Sequence, residues 1–179
     1  MEYKKQSEPL SIDQIEFRVQ SINKGGYATM LAYKDARADM NRLDDVCGVA
    51  GWKREHSRDN KNCTVSVWCD IKKQWISKED TGTESNADAE KGLASDSFKR
   101  ACFNLGIGRE LYDYPVIFIK LNANEFKLME NGKVKATWDL NLREWKWISE
   151  FRNGRLLGLA CRDGSGKLRF KYGEFTPQK

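Results

Sequence analysis

Two neighbouring cations, Lys99 and Arg100, stand among the aromatic residues Phe98 and Phe103. Ammonium and guanidinium groups neutralise phosphates and aromatic rings stack on unpaired bases, so this combination is one that single-strand binders use. Taken alone, it also describes the solvated edge of a helix. Lys72 and Lys73 beside Trp75 form a second cluster of the same kind, with the same two readings. Asp70-Ile71-Lys72, with Asp59 upstream, matches the acid-x-Lys pattern of restriction-type nucleases, in which converging carboxylates hold a metal ion. So short a pattern on a surface strand also arises by chance. The charges Asp35, Arg37, Asp39 and Arg42 offer a binding or catalytic face, and they equally describe a solvated helix surface with i,i+4 pairs.

Other chemistries lack their residues. No G-x-x-x-x-G-K-[ST] phosphate loop occurs, which argues against an ATP-driven recombinase, helicase or kinase. Gly106-Ile107-Gly108 lacks the third glycine of a dinucleotide fingerprint and follows a helix rather than a strand, so it reads as a helix-ending turn. No G-x-S-x-G is present, and the single histidine, His56, is far from any nucleophile motif. Five scattered cysteines, Cys47, Cys63, Cys69, Cys102 and Cys161, form no C-x-x-C pair and read as reduced, buried thiols rather than a zinc site. Neither a metal nor another cofactor is expected.

The elements that position these residues follow from periodicity. Glu16–Ile22 and 28–33 read as a hairpin about Asn23-Lys24-Gly25-Gly26. Ala36, Met40, Leu43 and Cys47 mark one face of a helix that Gly48 closes, with Asp35, Arg37, Asp39, Arg42 and Asp45 on its polar side. Strands over 52–58, 63–71 and 75–81 form a meander. The clearest helix follows, with Asn86 as N-cap, Asp88 and Glu90 at its positive end, and Ala94, Phe98, Ala101 and Leu105 as its apolar face. A strand over 116–121 comes next. Asn131-Gly132, Asn153-Gly154 and Asp163-Gly164-Ser165-Gly166 are turn signals, and strands over 148–152, 155–161 and 167–172 form a C-terminal meander.

At 179 residues, with 40% hydrophobic residues, 20 aromatics and three prolines, the chain has the anchors of a folded protein and needs no metal or disulfide to fold. Its longest apolar run, Val116 to Ile119, is strand-sized, and the polar start Met1-Glu2-Tyr3-Lys4-Lys5 is no signal peptide. A cytosolic or nucleoid-associated protein without membrane contact is expected. The net charge of +5 is uneven: residues 1–115 hold 18 basic against 19 acidic side chains (−1), and residues 116–179 hold 13 against 7 (+6). That arithmetic allows a polyanion partner and is equally compatible with a surface tuned for solubility.

With these residues in view, the stretch from about Glu16 to Tyr114 resembles the single-strand annealing proteins of the Rad-fifty-two superfamily, especially its short bacteriophage members. The resemblance rests on Glu16-Phe17-Arg18-Val19-Gln20-Ser21; on Leu31-Ala32-Tyr33-Lys34-Asp35-Ala36-Arg37 through Asp44-Asp45-Val46-Cys47-Gly48; on Gly51-Trp52; and on Asn86-Ala87-Asp88-Ala89-Glu90-Lys91-Gly92 through Ser95-Asp96-Ser97-Phe98-Lys99-Arg100-Ala101, closing at Gly106-Ile107-Gly108-Arg109-Glu110-Leu111-Tyr112-Asp113. It implies a β-β-β-α core; with the turn signals of the C-terminal segment the reading is an α+β fold, its core over residues 1–121 and a β-rich appendage over 122–179. It further implies a homo-oligomeric ring or helical filament that binds and pairs single-stranded DNA in homologous recombination without ATP, making and breaking no bond and so not an enzyme. A phage exonuclease or a host single-strand-binding protein is the implied partner, and the bacterial host cytoplasm or nucleoid the implied location. Of the implied DNA-binding residues, Lys99 and Arg100 fall on the family's Lys-Arg pair, and Lys73, beside Lys72, on its outer-site lysine. Arg37 lies next to a further family arginine. Phe103 stands where the eukaryotic protein has an arginine, in position to stack on a base, and Arg109 lies in the closing block. A metal-dependent nuclease of the same recombination module and a single-strand-binding protein that protects without annealing remain the alternatives.

Overall fold

A computed structural model of the chain describes residues 3–83 and 89–176. In order, its helices and strands are α1 (Tyr3–Gln6), β1 (Glu16–Ile22), β2 (Tyr27–Tyr33), α2 (Ala36–Cys47), β3 (Trp52–His56), β4 (Asn62–Cys69), β5 (Gln74–Thr81), α3 (Ala89–Asn104), β6 (Ile117–Lys120), β7 (Phe126–Leu128), β8 (Val134–Ala136), β9 (Lys146–Arg152), β10 (Arg155–Arg162) and β11 (Leu168–Gly173). The fold is α+β, and the chain divides into two compact units. One joins the residues up to Leu10 to Lys34–Arg109, and the other joins Ser11–Tyr33 to the residues from Glu110 onward. The expected boundary at about residue 122 falls inside the second unit, between β6 and β7.

The first unit is a three-stranded antiparallel sheet, ordered β3-β4-β5, under α3. Alternation along β4 places Cys63, Val65, Val67 and Cys69 on one buried face. The buried side of α3 centres on Phe98 and Ala101, as the periodicity predicts, and widens to Leu93, Ser97 and Cys102; Ala94 and Leu105 are half-buried. The expected caps Asn86 and Asp88 lie outside the described residues. Gly82 passes directly under the helix, where a Cβ would stand 2.6 Å from the Leu93 carbonyl oxygen and 2.8 Å from the Ser97 nitrogen, so only glycine fits.

α2 starts at Asp35, whose carboxylate accepts hydrogen bonds from the Arg37 and Ala38 amides, and ends at Gly48 with φ 73°. One expectation is corrected here. Asp39, assigned by its charge to the solvated face, is fully buried together with Ala38 and Leu43. Its carboxylate takes an ion pair from the equally buried Lys34, and Lys34 also donates to the Ile107 carbonyl at 2.8 Å. Arg42 is likewise no freely solvated charge: it donates to the carbonyls of Lys5 in α1 (2.7 Å) and of Glu8 just after it (2.8 Å).

In the second unit β1 and β2 form the expected hairpin, with a register shift between Val19 and Ser21, and β6 adds to the free edge of β2. β9, β10 and β11 make the expected C-terminal meander, and β7 pairs with β8 around the Asn131-Gly132 turn. Ala28, Met30, Ile117 and Ile119 share one buried cluster with Trp145, Leu159 and Cys161. The hairpin and the meander therefore shield each other's apolar faces, the largest favourable contribution to this unit's stability.

At the edge of that cluster Arg169, itself buried, donates to Glu125 at 2.9 and 2.6 Å and to Asp163 at 3.1 Å, with its guanidinium 4.6 Å from the Trp145 ring centre. A hydrogen bond from Ser165 comes first and the one from Arg169 adds to it, so the Asp163 carboxyl is pulled down to about 2 against the effect of burial. Because the folded value lies below the ordinary 3.8, the stabilisation is present above pH ~4 and disappears as pH falls through the folded value. Acid titration followed by circular dichroism should show Asp163→Asn already destabilised at neutral pH and less sensitive than wild type between pH ~4 and ~2. Superimposable acid curves would remove Asp163 from the stabilising network.

None of the five cysteines is in a disulfide; Cys47 is half-buried and the other four are buried. Burial pushes the thiols of Cys63 and Cys161 up to about 11 and 12, which keeps them protonated. No helix among the described residues is long and apolar enough to cross a membrane.

Candidate nucleic-acid interface

The i, i+3, i+7 spacing of Asp96, Lys99 and Phe103 puts them on the side of α3 that faces away from the sheet. Lys99 and Phe103 are half-exposed there, and Arg100 lies on the flank next to β5 with 46% of its side chain exposed. Arg100 Nε donates to Asp80 at 3.2 Å, and Asn104, one turn on, donates to the other Asp80 oxygen at 2.9 Å. Burial opposes ionisation of Asp80, but the Thr81 amide, Arg100 and Asn104 outweigh it and hold the carboxyl below its ordinary range. A guanidinium has five N–H donors. Asp80 occupies the inner one, which fixes the orientation of the plane and leaves the terminal nitrogens for an incoming oxyanion.

The C-terminal end of α3 is closed by Arg109, which donates to the Phe103 carbonyl at 2.8 Å and the Asn104 carbonyl at 2.9 Å, with its guanidinium 5.7 Å from the Phe103 ring centre. The Asn104 carbonyl, left without a partner by the end of the helix, is thereby satisfied, and the Phe103 carbonyl gains a second donor beside the Gly106 amide. Arg109 thus anchors the end of the helix and holds Phe103 beside the Lys99 stripe.

The other expected residues stand apart. Lys72 and Lys73 are in the exposed turn between β4 and β5, where Lys73 adopts φ 53° and its ammonium is 4.0 Å from Asp70. Between that turn and Asp80 runs nearly the whole of β5, a separation of about 20 Å along the strand. Near the turn, Trp68 and Trp75 meet edge-on at 5.6 Å, and the Lys53 ammonium sits 5.3 Å from the Trp75 ring centre. This cation-aromatic face extends the Lys72-Lys73-Trp75 cluster expected from sequence. Arg37, at the start of α2, is 79% exposed and is held by Asp35 through Nε at 2.7 Å and a terminal nitrogen at 2.6 Å.

Asp80, Arg54 and Lys53 were not legible as site residues. Arg54 lies 4.9 Å over the Phe98 ring and brings a further cation to the edge of α3. Register supplies the signal for it, since Arg54 pairs with Val65, a residue of the helix-facing side of β4. Asp80 shares that register signal, since it pairs with Cys63 on the same side of β4, but its meeting with Arg100 is set only by the packing of α3 on β5.

The carboxylates of the nuclease reading do not converge. Asp59 is in the loop before β4, bonded to Ser57, and Asp70 follows β4, bonded to the Trp68 indole. The eight residues of β4 keep them about 24 Å apart at ~3.4 Å per residue. Among the described residues no group of three or more His, Cys, Asp or Glu side chains is placed to hold a metal ion.

Comparison with known proteins fits this architecture. Two single-stranded DNA-binding proteins named DdrA are similar in sequence. The one from Deinococcus radiodurans is 38% identical over 90 residues, covering 49% of this chain and 43% of that protein. The one from Deinococcus deserti is 37% identical over 97 residues, covering 53% and 48%. The chain thus spans about half the length of these relatives. The family described as Rad52/22 family double-strand break repair protein matches residues 3–127, which takes in the β3-β4-β5-α3 unit and every expected site residue. By that match the chain belongs to the Rad52/22 family.

Proposed function

We propose that the protein binds single-stranded DNA and anneals complementary strands in recombination, as a homo-oligomeric ring or filament encoded by a phage or prophage. The observation that carries the reading is Arg100, oriented by Asp80 next to Lys99 on the exposed side of α3, in a chain of the Rad52/22 family. The names of the DdrA relatives support the single-stranded ligand. Phosphate contacts from Lys99 and Arg100 hold a strand by its backbone and leave its base edges free, which is the geometry annealing needs. Such contacts exchange quickly and weaken with salt, so complementary strands can test register. Repetition around an oligomer turns two cations per subunit into a continuous track.

Annealing of two complementary oligonucleotides, one labelled for energy transfer, should be accelerated by the protein in EDTA without ATP. Strand cleavage that requires a divalent ion and is lost in Asp70→Ala would replace this reading with the nuclease. The relatives' names favour a second reading, a protector that binds single strands without pairing them. Strands coated separately and then mixed distinguish the two, because an annealing protein speeds their pairing and a protector slows it.

A further inference from the structure

We infer that the second unit carries a separate contact for single-stranded DNA, in the cleft beside the β7-β8 hairpin. This inference rests on the single-strand-binding reading and adds a site to it. The cleft is open-sided, with a volume of about 860 Å³, and its lining includes Lys127, Lys135, Arg143, Trp138, Met129 and Leu140. Trp138 is fully exposed, with both faces of its indole available to solvent.

Arg37, Lys73 and Arg100 each face a carboxylate of their own unit. Lys127, Lys135 and Arg143 are exposed and have no ion pair among the described residues. Of the acidic side chains nearby in sequence, Asp139 accepts from Asn124 and Glu144 from Asn141, while Glu130 is exposed. Residues 116–179 carry the whole basic excess of the chain, 13 against 7.

An exposed indole among unpaired cations suits a ligand with both a π-face and a regular negative charge. Single-stranded nucleic acid has that chemistry, since an unstacked base covers the ring and the flanking phosphates meet the cations. In a duplex the bases are already stacked and Trp138 would find no face to cover it. The family match ends at Lys127, so all of this cleft but its first residue lies outside the matched stretch.

The test titrates the full chain with oligo(dT) over a salt series, following tryptophan emission, the anisotropy of a labelled strand and light scattering. Wild-type emission should be quenched at its red edge, where a fully exposed indole emits. Trp138→Phe should lose that component while it keeps most of the affinity. Trp138→Ala should bind roughly 5- to 150-fold more weakly, the effect of one lost base stack. Lys127→Ala/Lys135→Ala/Arg143→Ala should flatten the slope of log affinity against log salt by about 2, at ~0.7 per lost phosphate contact. Wild-type affinity and slope in both alanine variants would overturn this site and leave the functional reading standing, whereas a wild-type protein that binds no oligo(dT) would overturn both. A change of assembly size in Trp138→Ala would assign the indole to contacts between copies of the chain and overturn the DNA contact.

Discussion

In the variant Lys99→Ala/Arg100→Ala, the slope of log affinity against log salt for single-stranded DNA should flatten by about 1.4 per bound subunit, two phosphate contacts at ~0.7 each. Annealing should fail while the fold survives. Both side chains lie on the exposed side and flank of α3, and neither contributes to the buried face centred on Phe98 and Ala101. The Arg100-Asp80 pair is partly exposed and so is worth only about 0–1 kcal/mol. Asp80→Asn separates charge from orientation, because it keeps the Arg100 cation and removes the carboxylate that directs it. That variant should gain slightly in non-specific affinity from the lost negative charge, yet anneal more slowly because the guanidinium is no longer held. Arg100→Lys should behave similarly, since a point charge replaces the planar fork. Unchanged binding and slope in the double alanine variant would sink the assignment of α3 as the DNA-contacting helix. Collapse into monomers by light scattering would assign the pair to subunit contacts.

Much of the first unit was legible because its elements are strongly periodic. The alternation Cys63, Val65, Val67, Cys69 and the helical repeat through Phe98 and Ala101 are local patterns, and local patterns survive without knowledge of the partner surface. The hairpin β1-β2 and the C-terminal meander were legible for the same reason, from turn chemistry between apolar runs. Long-range closure was not. Nothing near Ala28 and Met30 announces that they share a cluster with Leu159 and Cys161, more than a hundred residues away. Sequence also presents cations without their partners. Arg100 reads as a free charge until α3 packs beside Asp80, and Arg109 reads as one cation of the block after the helix until it is found closing the helix end. Trp138 went unremarked because its neighbours Thr137 and Asp139 offer no periodic pattern, and its exposure is visible only in three dimensions.

The sharpest failure of local reasoning, Asp39, leads to the largest expected change in stability. Asp39 is 0% exposed and Lys34 8% exposed by side chain, and the second carboxylate oxygen of Asp39 has no hydrogen-bond partner among the described residues. Burial pushes its carboxyl up to about 6 against the pull of Lys34. Above this pair lies Gly108 at φ 75°, where a Cβ would come within 2.9 Å of the Lys34 chain, so the Gly106-Ile107-Gly108 turn closes the pocket with the Ile107 carbonyl as a third partner. Removing one member strands the other in a dry site. Asp39→Leu and Lys34→Met should therefore each lose about 3–5 kcal/mol, whereas Lys34→Met/Asp39→Leu should recover most of it or exceed wild type. Urea unfolding of the four proteins gives the coupling directly, and additive losses would show that the two charges do not act as a pair. The sign with pH is opposite to that of Asp163. A folded value raised above the ordinary 3.8 means that the contribution of Asp39 is complete below pH ~4 and is lost as pH rises through about 6. Wild type should accordingly lose part of its stability over that interval, and Asp39→Asn should not. Lys99 is among the charges that hold the Asp39 carboxyl down. Lys99→Ala should therefore move this loss to higher pH, an effect that DNA occupying Lys99 should reproduce in wild type by neutralising the same ammonium.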